Sequence, residues 1–537
     1  MENTLNKRAN KFSLGVQATL SICFLVFFSA AKYLRYFTQA GDGASYVGLI
    51  SSVRRDFQLN PYLYSSILKM NQNAWNGVDY WCASNFTFSI QNKESVLQWH
   101  AYLIAYPLGL ISRLTQISPT MIASIAEASA LFVALAICLN SISRNPRTLI
   151  FAVLVLGILL TSPILSIGSS GQLQPERLLI LPVIVLLTQV EKLLASERIQ
   201  KVAIFSAFIF GSMISERSAL TLFWLTFVYL GLRSPKSFLK PFSNVFIMLA
   251  TASFCWWLFW TIKYQNSFYY NQVSLKSIFS GLQHSFTDDS ANTIKMFLVL
   301  TPLIALSFFR WQGLIVGIIS LVPNLAVSVG GAEKTGLGTH YHAIYFSVFF
   351  ATAALGAVEL SKRLNRKKFT WEFGHHYSTF CLVFLIFFNL SYSGSGDTSP
   401  KKIKTNTEQT LNAFGINLFL NFEQLEMNRA EMIGYVEGIP IGSRIASPEW
   451  TMPALVDQGH FLISYYPLGV RNSDVVFAEF DAIDNQVSYL PWIMDQSMAS
   501  EIGKCILNTI DERGEDYESI LLRPDLLRIN FLNVAND

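Results

Sequence analysis

Residues 171–189 read GQLQPERLLILPVIVLLTQ, so Gln172, Gln174, Glu176 and Arg177 stand at the mouth of an apolar run long enough for a membrane helix. A helix needs roughly 17–25 predominantly apolar residues to cross about 30 Å of hydrocarbon. Runs of that kind recur along most of the 537-residue chain. Hydrophobic residues make up 51% of it and charged residues only 14%, where a soluble domain carries about a quarter charged residues, and mean hydropathy is +0.36. The pattern predicts an all-α polytopic membrane bundle over residues 1–392, followed by a soluble extracytoplasmic α/β domain over 393–537.

Apolar runs fall at 13–36, 119–141, 148–165, 176–192, 202–216, 218–232, 244–262, 294–309, 312–328, 343–360 and 376–392, which gives about eleven spans. Charge divides the chain in the same place. From residue 393 onward there are 21 acidic and 10 basic residues, leaving 15 acidic and 30 basic residues before it. Lys7, Arg8 and Lys11 precede the first run, which places the N-terminus in the cytoplasm by the positive-inside rule. The loops SRNPR, EKLLASERIQK, LRSPKSFLK, FFRWQ and KRLNRKK then fall on the cytoplasmic side, and the acidic tail outside. WHAYLIAYPLGLISRL (99–114) is short and interrupted by proline, which suits a re-entrant or interfacial helix better than a span. The basic residues lie in short loops rather than in one stripe, so no nucleic-acid partner is indicated.

On this topology the polar clusters converge on the outer face. Asp42 lies just outside the first span, GQLQPER before the fourth, Glu216 and Arg217 in the turn between the fifth and sixth, and GTHYH (338–342) before the tenth. Ionisable groups at membrane depth are costly and are functional candidates by default. The plainer alternative is that helix ends are polar because they meet water and headgroups. The long first outer loop, about 43–118, mixes amphipathic stretches with NQNAWNGVDYW, a composition suited to lying on a bilayer and covering a cavity.

The order of features (an N-in helix, an Asp just outside it, a long first outer loop, a helical bundle and a soluble outer C-terminal domain) resembles the GT-C superfamily of lipid-linked glycosyltransferases. Within it, GDGASYVGLISS, QPERLLILP, SERSAL, THYHAIYFSVFF, IPIGSRIASPEWTMPALVDQGHFLISYY and DVVFAEFD resemble a bacterial multi-pass membrane family known only as a domain of unknown function. The chain departs from that pattern at Gly41-Asp42-Gly43, where the first loop ordinarily begins with an aromatic residue and Asp. The resemblance implies transfer of a sugar from a polyprenyl-phosphate donor to a glycan, lipid or protein acceptor at the cell (inner) membrane.

A sugar on polyprenyl phosphate carries its own leaving group, so one base suffices where a glycosidase needs two carboxylates. Asp42 is the expected base. Arg177, Arg217, Lys334, His340 and His342 are expected to hold the phosphate charge, with Gln174, Glu176 and Glu216 beside them and Glu176 orienting Arg177. Asp79 is a second loop carboxylate, placed to assist Asp42 or to bind a divalent ion. A metal is the one cofactor left open, and HYH alone has no third ligand at a characteristic spacing. Each arginine has a duller role available in pairing with its neighbouring glutamate or with lipid phosphates. A transporter or flippase of an anionic substrate is the main rival, although the paired repeats and interrupted helices of such proteins are not evident in the sequence. A non-catalytic scaffold is the third reading.

Cys82 and Cys505 are the cysteines expected outside the membrane, either as free thiols or as one disulfide. In the tail, SRIAS, HFLISYY and DVVFAEF read as strands and EIGKCILNTIDERGEDYESILL (501–522) as helix.

Overall fold

A computed structural model describes residues 22–37 apart from 24, 41–59, 63, 88, 96–98, 100–141, 173–193, 198–233, 241–264, 275–287, 290–326, 343–365, 376, 418–481, 486–487, 504–524 apart from 505, and 526–532. It is mostly helical with a small C-terminal sheet. The chain divides into two compact units: Met1–Arg35, His100–Ile104 and Ala123–Phe422 form one, and Tyr36–Trp99, Ala105–Ile122 and Glu423–Asp537 the other.

In order, the helices used below are α1 (25–36), α2 (Gly41–Asp56), α3 (Ala105–Thr115), α4 (Pro119–Ser141), α5 (Ile180–Leu193), α6 (Arg198–Ile214), α7 (Glu216–Trp224), α8 (Pro241–Tyr264), α9 (Leu275–Thr287), α10 (Ser290–Ser307), α11 (Trp311–Ala326), α12 (Ala343–Asn365), α13 (Leu418–Val436) and α14 (Met452–Asp457).

In the first unit α12 packs against α5, α10 and α11. Its residues 343–358 are buried at every position, which a helix tolerates only when it is apolar on all sides. Small residues let its neighbours approach closely, as in other bilayer bundles. A Cβ on Gly356 would lie 2.0 Å from the Leu306 carbonyl oxygen of α10, and one on Gly313 of α11 would lie 1.7 Å from Thr352 Cγ2. Gly356→Ala must push α10 and α12 apart, and should cost roughly 1–3 kcal/mol of stability. Gly48, with nothing within 4 Å of its Cβ position, is the control: Gly48→Ala should be neutral or slightly stabilising in thermal melts of the detergent-solubilised protein.

Among the described residues two helical runs are long and apolar enough to cross a membrane, Leu300–Ala326 and Ala343–Leu364. A third counts only if Ala105–Thr115 and Pro119–Ala134 are one span across a 119° bend. Val202–Ile214 and Ile247–Lys263 are shorter apolar helices. The Leu300–Ala326 run is not straight. Ser285 on α9 accepts from Thr293 Oγ1 at 2.7 Å through its carbonyl and donates to the Leu325 carbonyl at 2.7 Å through its hydroxyl. Residues 293 and 325 would stand about 48 Å apart along a straight helix. The chain therefore folds back at the 3-10 turn Phe308–Arg310, where FFRWQ reads as a loop. Buried Arg310 at that turn reaches Glu359 of α12 at 3.6 Å. The expected runs at 148–165 and 376–392 lie, apart from His376, outside the described residues.

In the second unit, helices α2 and α3 join the tail. Helix α3 packs on α2 so tightly that a Cβ on Gly109 would sit 2.6 Å from Val53 Cβ. Pro107 falls in the first turn of α3, where a missing N–H costs nothing, so it starts this helix rather than breaking it. Helix α2 packs in turn on α14, and the Arg55 guanidinium lies 4.1 Å over the Phe461 ring.

The tail sheet runs β2-β1-β3-β6-β5, with β4 (Gln486–Val487) paired to β3. Strands β1 (Ile445–Ser447), β2 (Ile463–Tyr465) and β3 (Val475–Asp481) are parallel neighbours, and they coincide with the three runs read as strands. Beyond them β6 (Leu526–Phe531) and β5 (Tyr517–Arg523) add antiparallel. Asp474 fastens β3 to β1: its carboxylate accepts from the Arg444 backbone N–H at 2.7 Å and from the Arg444 guanidinium at 2.6 Å. Arg528 donates to the carbonyls of Tyr435 and Glu437, closing the C-terminus of α13. The helix expected over 501–522 is shorter. Residues 506–512 are helical, Gly514 turns the chain at φ +60°, and YESILL belongs to β5.

Burial, and then the Arg528 charge, push the His460 imidazole down to about 4 from its ordinary 6.5. Between those values the unfolded chain binds a proton that the folded tail does not, so stability should fall as pH drops from 6.5 towards 4 and then level off. Allowing for solvent screening, the loss is on the order of 2 kcal/mol. Denaturant unfolding of the full chain at pH 7 and pH 4.5 reads it, and His460→Asn should flatten the difference.

Candidate functional site

The opening stretch forms a buried junction. Gln174 is extended (φ −146°, ψ 141°), Pro175 starts a 3-10 turn over Pro175–Leu179, and α5 follows without a break. Proline suits that first position because its fixed φ is already helical and its absent N–H would have had no partner. All five residues of the turn are buried, Glu176 and Arg177 included.

Arg177 lies in a set of charges drawn from three elements. Glu127 on α4 accepts the Gln174 backbone N–H at 2.7 Å through Oε1, and its Oε2 lies 3.2 Å from Lys32 Nζ on α1. Lys32 and Arg35, three positions apart, share one face of α1. Both interact electrostatically with Arg177, and Arg177 with Glu127. Lys32 and Arg177 thus both act on this carboxylate, and Arg35 lies near enough to Arg177 and Lys32 to feel their charge. Lys32 and Glu127 are nearly inaccessible, at 4% and 3% side-chain exposure.

Glu176 faces a different set. Tyr102 hydrogen-bonds to its carboxylate, and His100 and Arg217 lie beside it. Among the described residues its Oε2 accepts no hydrogen bond. Glu216, fully buried, receives His100 Nδ1 on Oε1 and the Ala101 backbone N–H on Oε2, both at 3.1 Å. His100 stacks on Tyr102 with ring centroids 4.9 Å apart and keeps 20% of its side chain exposed. The stretch SERSAL supplies this geometry through its cap. Ser215 is extended and its hydroxyl accepts the Ser218 N–H at 3.2 Å, which ends α6, starts α7 and puts Glu216 in the first turn. Ile104 N–H donates to the Met213 carbonyl at 2.8 Å and pins the His100–Ile104 segment to this junction.

Of the residues expected from the sequence, Gln174, Glu176, Arg177, Glu216 and Arg217 come together in this unit. The Glu127 charge acts on Arg177, and successive side chains on a 3-10 turn diverge by about 120°. Asp42 is the second residue of α2, in the other unit, and its side chain is outside the description. Asp79, Lys334, His340, His342, Cys82 and Cys505 lie outside the described residues. Lys32, Arg35, Glu127, His100 and Tyr102 were not anticipated. The signal for the first three is plain in the sequence: they are charges inside the apolar runs 13–36 and 119–141. Among the described residues no group of three or more His, Cys, Asp or Glu gathers as a metal site would require. Compared with protein-family models, curated proteins and solved structures, the chain matches none.

Proposed function

We propose that this protein is an inverting membrane glycosyltransferase of GT-C type, taking a sugar from a polyprenyl-phosphate donor to a glycan, lipid or protein acceptor outside the cytoplasm. The observation that carries the reading is the buried set of Lys32, Arg35, Arg177 and Glu127, ionisable groups gathered in an apolar bundle. Buried charge is expensive unless it is paired, and ionisable groups held at this depth are candidates for function. A phosphate headgroup on an apolar tail has both the charge and the solubility for such a place. As the sugar–phosphate bond breaks, charge grows on the phosphate, and fixed cations in a dry setting stabilise it without reorganisation. Arg177 and Arg35 offer forked donors for its oxygens and Lys32 a point charge. On this reading the protein lies in the inner membrane with about eleven spans, a cytoplasmic N-terminus and an extracytoplasmic tail. Asp42 is the sequence's candidate for the base. The test is transfer of labelled sugar from purified polyprenyl-phosphate donors by the purified protein, and a lack of transfer from every donor tried would move the assignment to a transporter or scaffold.

A further inference from the structure

The tail holds a cavity of its own beside the C-terminal end of α13. It encloses about 480 Å³, a size suited to a small-molecule site. Arg429, Ile433 and Glu437 line it at four-residue spacing, in one row along the helix. Ile439, Gln458 and His460 complete the lining that matters here, and left-handed Gly438 (φ +78°) ends the helix and turns the chain towards them. A Cβ on Gly434 or Gly438 would meet nothing within 4 Å, so the space beside the helix is open.

The lining selects by chemistry. His460 is only 3% exposed, and its Nδ1 has no hydrogen-bond partner among the described residues, which is costly for a buried nitrogen. A hydrocarbon occupant would leave that cost in place, whereas a hydroxyl beside the ring relieves it. Burial and the Arg528 charge hold the imidazole down at about 4, so near pH 7 it is neutral, with one donor and one acceptor nitrogen. The Gln458 amide also offers both functions, and the Glu437 carboxylate accepts. Arg429 and Glu437 offset one another in charge, yet they stand about 12 Å apart along the helix, too far for one small zwitterion to meet both. Ile433 and Ile439 add apolar surface. A sugar ring matches this set: its hydroxyls donate and accept, its carbon framework has apolar C–H faces, and it carries no charge.

We propose that this cavity binds a neutral oligosaccharide, held by hydroxyl contacts to His460, Gln458 and Glu437 with its C–H faces on Ile433 and Ile439. The site is built from tail residues alone and stands whether or not the bundle transfers sugar.

The test is calorimetric binding to the full-length protein in a detergent without a sugar headgroup. The probes are the neutral trisaccharides maltotriose, cellotriose, mannotriose and tri-N-acetylchitotriose, with the trimers of galacturonic acid and glucosamine as charged counterparts. A neutral trisaccharide should bind, and the charged trimers should bind more weakly, because each brings a charge like that of Glu437 or of Arg429 to the cavity. Gly434→Leu is the decisive variant. Its side chain fills the open space, and leucine is a better helix former than glycine, so binding should fall roughly 10-fold or more while the melting temperature holds or rises. His460→Leu removes the ring nitrogens and should weaken binding roughly 2- to 12-fold, the worth of one hydrogen bond. Equal binding by wild type and Gly434→Leu would place the sugar elsewhere on the protein and overturn the site. No binding of any neutral trisaccharide, or tighter binding of a charged trimer, would overturn the ligand class and the proposal with it.

Discussion

Glu127→Ala is expected to be among the most damaging single substitutions in the bundle, costing about 3–5 kcal/mol, because it leaves the buried Lys32 ammonium without its carboxylate. Glu127 meets Lys32 at 3.2 Å, takes the Gln174 N–H at 2.7 Å and faces Arg177, so one truncation loosens α1, α4 and the 3-10 turn together. Lower melting temperature and a smaller monodisperse fraction in detergent are the readouts. Glu127→Gln keeps an acceptor for the Gln174 N–H and should fall between the two. Pairing Glu127→Ala with Lys32→Met removes one stranded cation and should recover part of the loss, the coupling expected of groups in contact. Polyprenyl phosphate should also recover part of it, since a ligand at 100 times its dissociation constant adds about 2.7 kcal/mol. A melting temperature unchanged in Glu127→Ala would mean that these charges are solvated and that the cluster is no site.

Lys32→Met and Arg177→Met should do the opposite, leaving stability nearly intact while weakening phosphate binding. Each removes one of three like charges that repel one another, so Glu127 retains a cation after either change. A hydrogen bond to a charged group is worth about 1.5–3 kcal/mol, which converts to roughly 10- to 150-fold in affinity for each variant. The double variant should lose less than the sum, because the two groups share one ligand. Lys32→Arg should bind better than Lys32→Met, since it keeps the charge. A purely structural ion pair predicts the reverse split, with stability lost and lipid binding unmoved.

Much of the scaffold was legible because apolar periodicity and capping act locally. FFRWQ marked the fold-back at Phe308–Arg310, SERSAL marked the turn between α6 and α7, and three β-rich runs in the tail became β1, β2 and β3. The helix over 501–522 was overread because the periodicity of ILNTI seemed to continue past Gly514, a residue whose positive φ ends it. The tail shares one compact unit with α2 and α3, a long-range packing that no local pattern encodes. The site was half legible. Glu176, Arg177, Glu216 and Arg217 stood out at helix mouths, whereas Lys32, Arg35 and Glu127 were absorbed into runs read for hydrophobicity alone. The sequence suggested an ordinary helix start at Pro175, where the structure has a 3-10 turn whose successive side chains diverge by about 120°.

The most direct test of the phosphate site is equilibrium binding of sugar-free polyprenyl phosphate to the purified wild type, Lys32→Met and Arg177→Met, with the corresponding uncharged polyprenol as control. The account predicts that wild type prefers the phosphate to the alcohol, and that each variant loses roughly 10-fold or more of that preference at unchanged melting temperature. Equal binding of phosphate and alcohol by wild type, or equal phosphate binding by all three proteins, would contradict it.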